Sequence, residues 1–158
     1  MDDVALARVI HVIAVIVWIG GVAMVTTVLL PAVRGFKQPA ERVAFFEAVE
    51  RRFAGQARVA TLLVGASGLY MIVRLDLWDR FADPAYRWMH AMVALWAIFS
   101  LMLFVLEPLF LHRWFLERAA RAPEATFALI ARLHWALLTL SLVTVFGAVA
   151  GAHGWLPL

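Results

Sequence analysis

Cysteine is absent from this sequence. Its absence removes disulfides, thiolate-bound zinc, iron–sulfur clusters and cysteine nucleophiles together, leaving His, Met and carboxylates as the metal-binding side chains. Charge is missing from one long stretch: no Lys, Arg, Asp or Glu stands between Arg8 and Arg34. At about 1.5 Å per residue, such a run spans the ~30 Å hydrocarbon core of a bilayer. The marks of a cleavable signal peptide are missing too, since the chain opens on Asp2 and Asp3 and the apolar run goes on too long. The first helix is therefore expected to stay.

What is present points the same way. Of the 158 residues, 65% are hydrophobic, and the mean hydropathy is +0.87, far outside the range of a water-soluble domain. The formal charge of +3 gives no reason to expect nucleic acid, because the arginines sit beside apolar spans, where topology explains them.

Four spans can be read, over residues 9–30, 59–73, 88–110 and 133–153, within one integral membrane domain covering residues 1–158. The second is short. Only fifteen residues separate Arg58 from Arg74, roughly 22 Å of helix, so either both arginines snorkel or the span extends back through Phe53. Arg8, Arg74, Arg80 and Arg87 flank one side of the membrane. Arg34, Lys37, Arg42, Arg51, Arg52, Arg58, Arg113, Arg118, Arg121 and Arg132 flank the other. The excess of positive charge places the first and third loops in the cytoplasm and both termini outside. In the first loop, Pro39 can open a helix in which Val43, Phe46, Val49, Glu50 and Phe53 recur at helical spacing. Pro123-Glu124 can open another that runs unbroken into the fourth span. The expected fold is all-α: an up-down bundle of four transmembrane helices, with a short interfacial helix in the first cytoplasmic loop.

A weak internal repeat bears on function. Arg8-Val9-Ile10-His11 at the start of the first span returns as Arg87-Trp88-Met89-His90 at the start of the third, and both spans are expected to end at a proline, Pro31 and Pro108. His11 and His90 enter the membrane in the same direction at one depth, where ionisable groups are costly and usually functional. Across a bundle, helices one and three are diagonal partners, and two facing imidazoles are the axial ligands that a b-type haem requires. Arg8 and Arg87, one turn nearer the surface, would pair with the haem propionates. Trp18 continues the column of Arg8 and His11. Ala14, Ala94 and Ala97 would leave room for a flat macrocycle. His153 is the reserve ligand.

A rival reading uses methionine: Met89, Met92, His11, His90 and His153 could converge near the outer face, and thioether with imidazole suits copper(I). Singly, each histidine can hydrogen-bond to water or a carbonyl, and each methionine can fill a gap. At the cytoplasmic end, His112, His134 and Glu107 could form a second site or a proton path; a wet interfacial cluster is the expected reading. Gly65, Gly68, Gly147 and Gly151 are expected to let helices approach, with Gly20-Gly21 doing the same or loosening span one. Trp78, Trp114 and Trp155 are expected to anchor span ends at the interface.

The segment Ile10 to Gly21, IHVIAVIVWIGG, resembles the first helix of small bacterial four-helix membrane proteins of the CopD-like and HemJ-like group. The likeness continues through Glu50-Arg51-Arg52-Phe53 and the small-residue second span, and weakly through Trp88-Met89-His90, covering about half of the chain. It implies that His11 is the family's first-helix histidine and His90 its third-helix counterpart. HemJ-type proteins bind b haem and oxidise protoporphyrinogen IX; CopD-type domains are associated with copper uptake or resistance. The HemJ-like third helix carries a lysine two residues after its Trp-x-His, where this sequence has Met92, which argues against that oxidation here. Gly20-Gly21 leans towards the CopD-like branch.

The expectation is thus a bacterial inner-membrane b-type cytochrome with periplasmic termini. Its haem would lie between His11 and His90, for electron transfer or oxidation of a small membrane-accessible substrate. The alternative is a copper-handling protein. Expected partners are the lipid bilayer, a redox partner or quinone and a second copy of the chain.

Overall fold

A computed structural model describes residues 3–35 and 38–155. Lys37, counted above among the cytoplasmic charges, lies outside them. Four long helices account for nearly all of the described chain. The first, α1, runs Asp3–Val33; α2 runs Pro39–Arg74; α3 starts as Arg87–Leu101 and continues through Met102–Leu111 into His112–Arg121; α4 runs Pro123–Ala152. All four are long and apolar enough to cross a membrane, which makes this an all-α, multi-pass four-helix bundle. Two short 3-10 turns, Trp78–Phe81 and Pro84–Tyr86, connect α2 to α3. That connection, the start of α1 and the end of α4 lie at one end of the bundle, here the terminal end. The other is called the basic end.

Two features differ from the sequence reading. The helix expected in the first loop forms, but it is not separate: α2 is one unbroken helix of 36 residues, roughly 54 Å long. Nothing between Phe46 and Leu63 stops it, and Gly55 alone does not break a helix. Nor do the first and third helices end at their prolines. Pro31 and Pro108 lack the amide proton and would clash with the carbonyl four residues back in an α-helix. Here each is met by π-helical winding, Val25–Leu29 before Pro31 and Met102–Leu111 around Pro108. In these segments Leu30 N–H bonds to the Val25 carbonyl and His112 N–H to that of Glu107. The wider winding absorbs the proline and lets each helix continue.

The core has two parts. In the middle of the bundle, Ala14, Trp18 and Val22 of α1 meet Ala57, Ala60 and Val64 of α2, with Leu95 and Phe99 of α3 and Leu138 of α4. Two of the glycines expected to let helices approach make room for an indole ring: a Cβ on Gly65 would fall 2.7 Å from the Trp96 ring, and one on Gly151 would fall against that of Trp88. Trp96 Nε1 also donates to the Thr61 carbonyl at 2.9 Å, fixing α3 on α2. Gly21 faces the Phe53 ring, whereas Gly20 and Gly147 face open space.

At the basic end, Val25, Leu29, Leu30 and Val33 pack with an aromatic trio of Phe46, Phe115 and Phe127, whose ring centroids lie 5.4–5.9 Å apart. Buried Arg42 lies over Phe127 and pairs with Glu124, joining the starts of α2 and α4. At the terminal end, Asp3 accepts from Tyr70 and Arg74 at 2.8 and 2.9 Å, tying the start of α1 to the end of α2. The outer surface is a girdle of exposed Ile, Val, Leu and Phe, suited to lipid rather than water.

Candidate functional site

His11 lies half-buried between α1 and α2, at the terminal end. Its Nδ1 stands 3.1 Å from the Val64 carbonyl oxygen and 3.0 Å from Ser67 Oγ. The Ser67 hydroxyl donates to the Leu63 carbonyl at 2.5 Å, so its proton is committed, and a carbonyl can only accept. The proton of the neutral imidazole therefore sits on Nδ1, leaving Nε2 with its lone pair. The absence of a side chain on Gly68 gives the ring its place, since a Cβ there would lie 3.3 Å from His11 Cε1. An imidazole held by a backbone carbonyl through one nitrogen, with the other nitrogen bare, is how proteins orient a metal-ligating histidine.

The other sequence candidates at this end lie on the periphery. His90 is exposed and meets the Phe81 ring edge-on at 5.3 Å between centroids; the inward position beside it is taken by Met89. Ala94 and Ala97, expected to line a macrocycle site in the core, are exposed as well, on the same outer face of α3 as His90, while Ala14 is buried. Arg8, Arg87 and His153 are exposed, and His153 Nδ1 bonds within its own helix to the Val149 carbonyl at 2.8 Å. Met89 is buried and Met92 half-buried, on a different face from His90. No group of three or more His, Asp or Glu side chains able to hold a metal ion occurs among the described residues. No specific observation therefore favours the copper reading. Trp78 and Trp155 are exposed at the terminal end and Trp114 at the basic end, the positions expected of interface anchors.

Trp18 is placed elsewhere. It is only 3% exposed, packs edge-on against Phe99 at 4.8 Å, and its indole N–H has no partner among the described residues. It forms part of the wall of a cavity of about 180 Å³ that extends from the middle of the bundle to the basic end. Around this cavity stand Glu107, His112 and His134, which the sequence suggested as a wet cluster, and two carboxylates outside that cluster: Glu47, which the sequence reading did not single out, and Glu50, which it placed only on the helical face of Val43, Phe46, Val49 and Phe53. Glu107 pairs with Arg58, whose Nε also donates to the Leu103 carbonyl at 3.0 Å. Glu47 accepts from Arg51 at 2.9 Å and lies 3.8 Å from His112 Nε2. His134 Nδ1 stands 3.0 Å from the Ile130 carbonyl, which again leaves Nε2 as an acceptor. The π-helical stretch of α3 contributes Met102, Leu103, Glu107 and Leu111 to the lining, and such windings recur at functional sites. One signal for the missed carboxylates was available: Glu47 and Glu50 are three residues apart and so share a helix face. That this face turns inward depends on helix rotation, which their spacing does not fix.

Comparison with protein-family models, with curated proteins and with solved structures finds no match to this chain, so the CopD-like and HemJ-like resemblance rests on the quoted sequence segments alone.

Proposed function

We propose that this chain is a haem-binding protein of a bacterial inner membrane, with both termini periplasmic, acting in electron transfer or in oxidation of a small membrane-accessible substrate. The observation that carries the reading is His11: its ring is clamped by Val64 and Ser67, with Nε2 left free to bind a metal. His11 would hold haem b. Haem, when bound, supplies one-electron chemistry at iron. Exposed Arg8 and Arg87, at the same end, would pair with propionates at the membrane surface. Ser67 and Gly68 act on the ligand rather than on the iron, the first by fixing the ring's orientation and the second by leaving it room.

His90 is the second ligand of this reading, and its exposure makes its contribution a matter for spectroscopy. The test is the absorption spectrum of the detergent-purified protein, as isolated and after dithionite. A sharp Soret band with split visible bands on reduction supports the reading. His11→Ala should then remove the haem, and His90→Ala should convert a six-coordinate spectrum to a five-coordinate one. A protein that stays colourless when haem is supplied during expression would overturn the reading.

A further inference from the structure

The cavity at the basic end plays no part in the function proposed above, and two independent features converge on it: it is walled by π-helical backbone, and it gathers titratable side chains from α2, α3 and α4.

The charges narrow the choice of ligand. Glu107 is already neutralised by Arg58, and Glu47 by Arg51 with His112 nearby, so the cavity is not a plain anionic hole for a metal ion. The remaining polar groups are few: His134 Nε2, an acceptor, and the Glu50 carboxyl. Most of the rest of the wall is apolar, with several aromatic rings. A ligand matched to this wall is flat and apolar and carries an oxygen that, in one of its states, is a hydroxyl able to donate a hydrogen bond to His134 or Glu50.

We infer that this cavity binds the ring of a membrane-soluble quinone or quinol, with His134 and Glu50 as the groups that face its oxygens. The inference deepens the proposed function by giving its membrane-accessible substrate a place. It rests on that reading for its redox role, whereas binding can be measured with no haem present.

The experiment titrates the detergent-purified full chain with decylubiquinone and with menadione, following tryptophan fluorescence and the heat of binding. Saturable one-to-one binding of either compound is expected, weakened at least tenfold in Glu50→Gln, in His134→Leu and in Leu137→Trp, which fills the cavity. Each variant is first checked for helicity and monodispersity; should His134→Leu misfold, Glu50→Gln and Leu137→Trp decide. His11→Ala should bind quinone as the parent does, so loss of haem and loss of quinone binding are separable. A signal that never saturates, or one equal in the parent and all cavity variants, means partition into the micelle and overturns the inference.

Discussion

His11 and His134 are alike in chemistry and opposite in setting. Each gives its Nδ1 proton to a backbone carbonyl, but His11 bonds across to α2, whereas His134 bonds to its own helix four residues back. The first ring is therefore held by how two helices pack, and the second by local geometry, beside a cavity. The same contrast runs through the bundle. At the terminal end, small residues close the helix contacts and the charge pair is exposed; at the basic end, wider helical winding and half-buried ion pairs surround open space.

That contrast can be broken most strongly at Arg58. Arg58→Leu leaves Glu107 without its partner beside the cavity. Both side chains are partly exposed, so the loss should be roughly 2–3 kcal/mol, below the ~3–5 of a fully buried pair. Adding Glu107→Leu should recover much of it, read as the unfolding midpoint in detergent. Arg51→Leu should change stability by no more than ~0.5 kcal/mol, because that arginine is largely in solvent.

Next in size is the packing of α2 on α3. Gly65→Ala forces the Trp96 ring away and should cost about 1–3 kcal/mol. Gly55→Ala, which meets open space, should instead gain about 0.5–1 kcal/mol by raising helix propensity. Equal effects of the two would show that the close approach of Trp96 contributes nothing.

The smallest effects lie at the helix ends. Both α2 and α4 close with paired bonds, Leu77 N–H to Ile72 and Asp76 N–H to Val73 in one, Trp155 N–H to Ala150 and Gly154 N–H to Gly151 in the other. The left-handed residue is Gly154 in α4, at φ +70°, but Asp76 in α2, at φ +49°. Gly154→Ala should cost roughly 1 kcal/mol, while Asp76→Gly should gain a few tenths, both measurable as shifts in Tm.

Much of the fold was legible because its signals are coarse. A charge-free run from Val9 to Val33 leaves little choice but a spanning helix, and the Pro123 start of α4 was readable from one residue. The basic-end helix of α2 was seen, and one of two readings ran the second span back through Phe53 into it; the choice stayed open because no single residue announces that a helix fails to stop. The prolines misled for a related reason: they mark where an α-helix should break, but not whether the backbone can widen instead. The site was less legible. Met89 and His90 are neighbours in sequence, and a rotation of about 100° per residue decides which turns inward. Which side chain turns inward is set by Trp88 against Gly151 and Trp96 against Gly65, contacts between residues far apart in the chain.

The widened winding of α3 also has a meaning at the level of the gene. A helix that takes more than 3.6 residues per turn carries surplus chain, so losing one codon between Met102 and Leu111 is absorbed by tighter winding, and Phe115 and Ala119 stay near their places in the basic-end core. The same loss between His112 and Trp114, where the helix is ordinary and has no surplus, turns everything beyond it by roughly 100° and brings charged neighbours into that core. The wide winding is thus the one stretch of this helix where the reading of the chain can slip by a residue without changing the address of the side chains that follow.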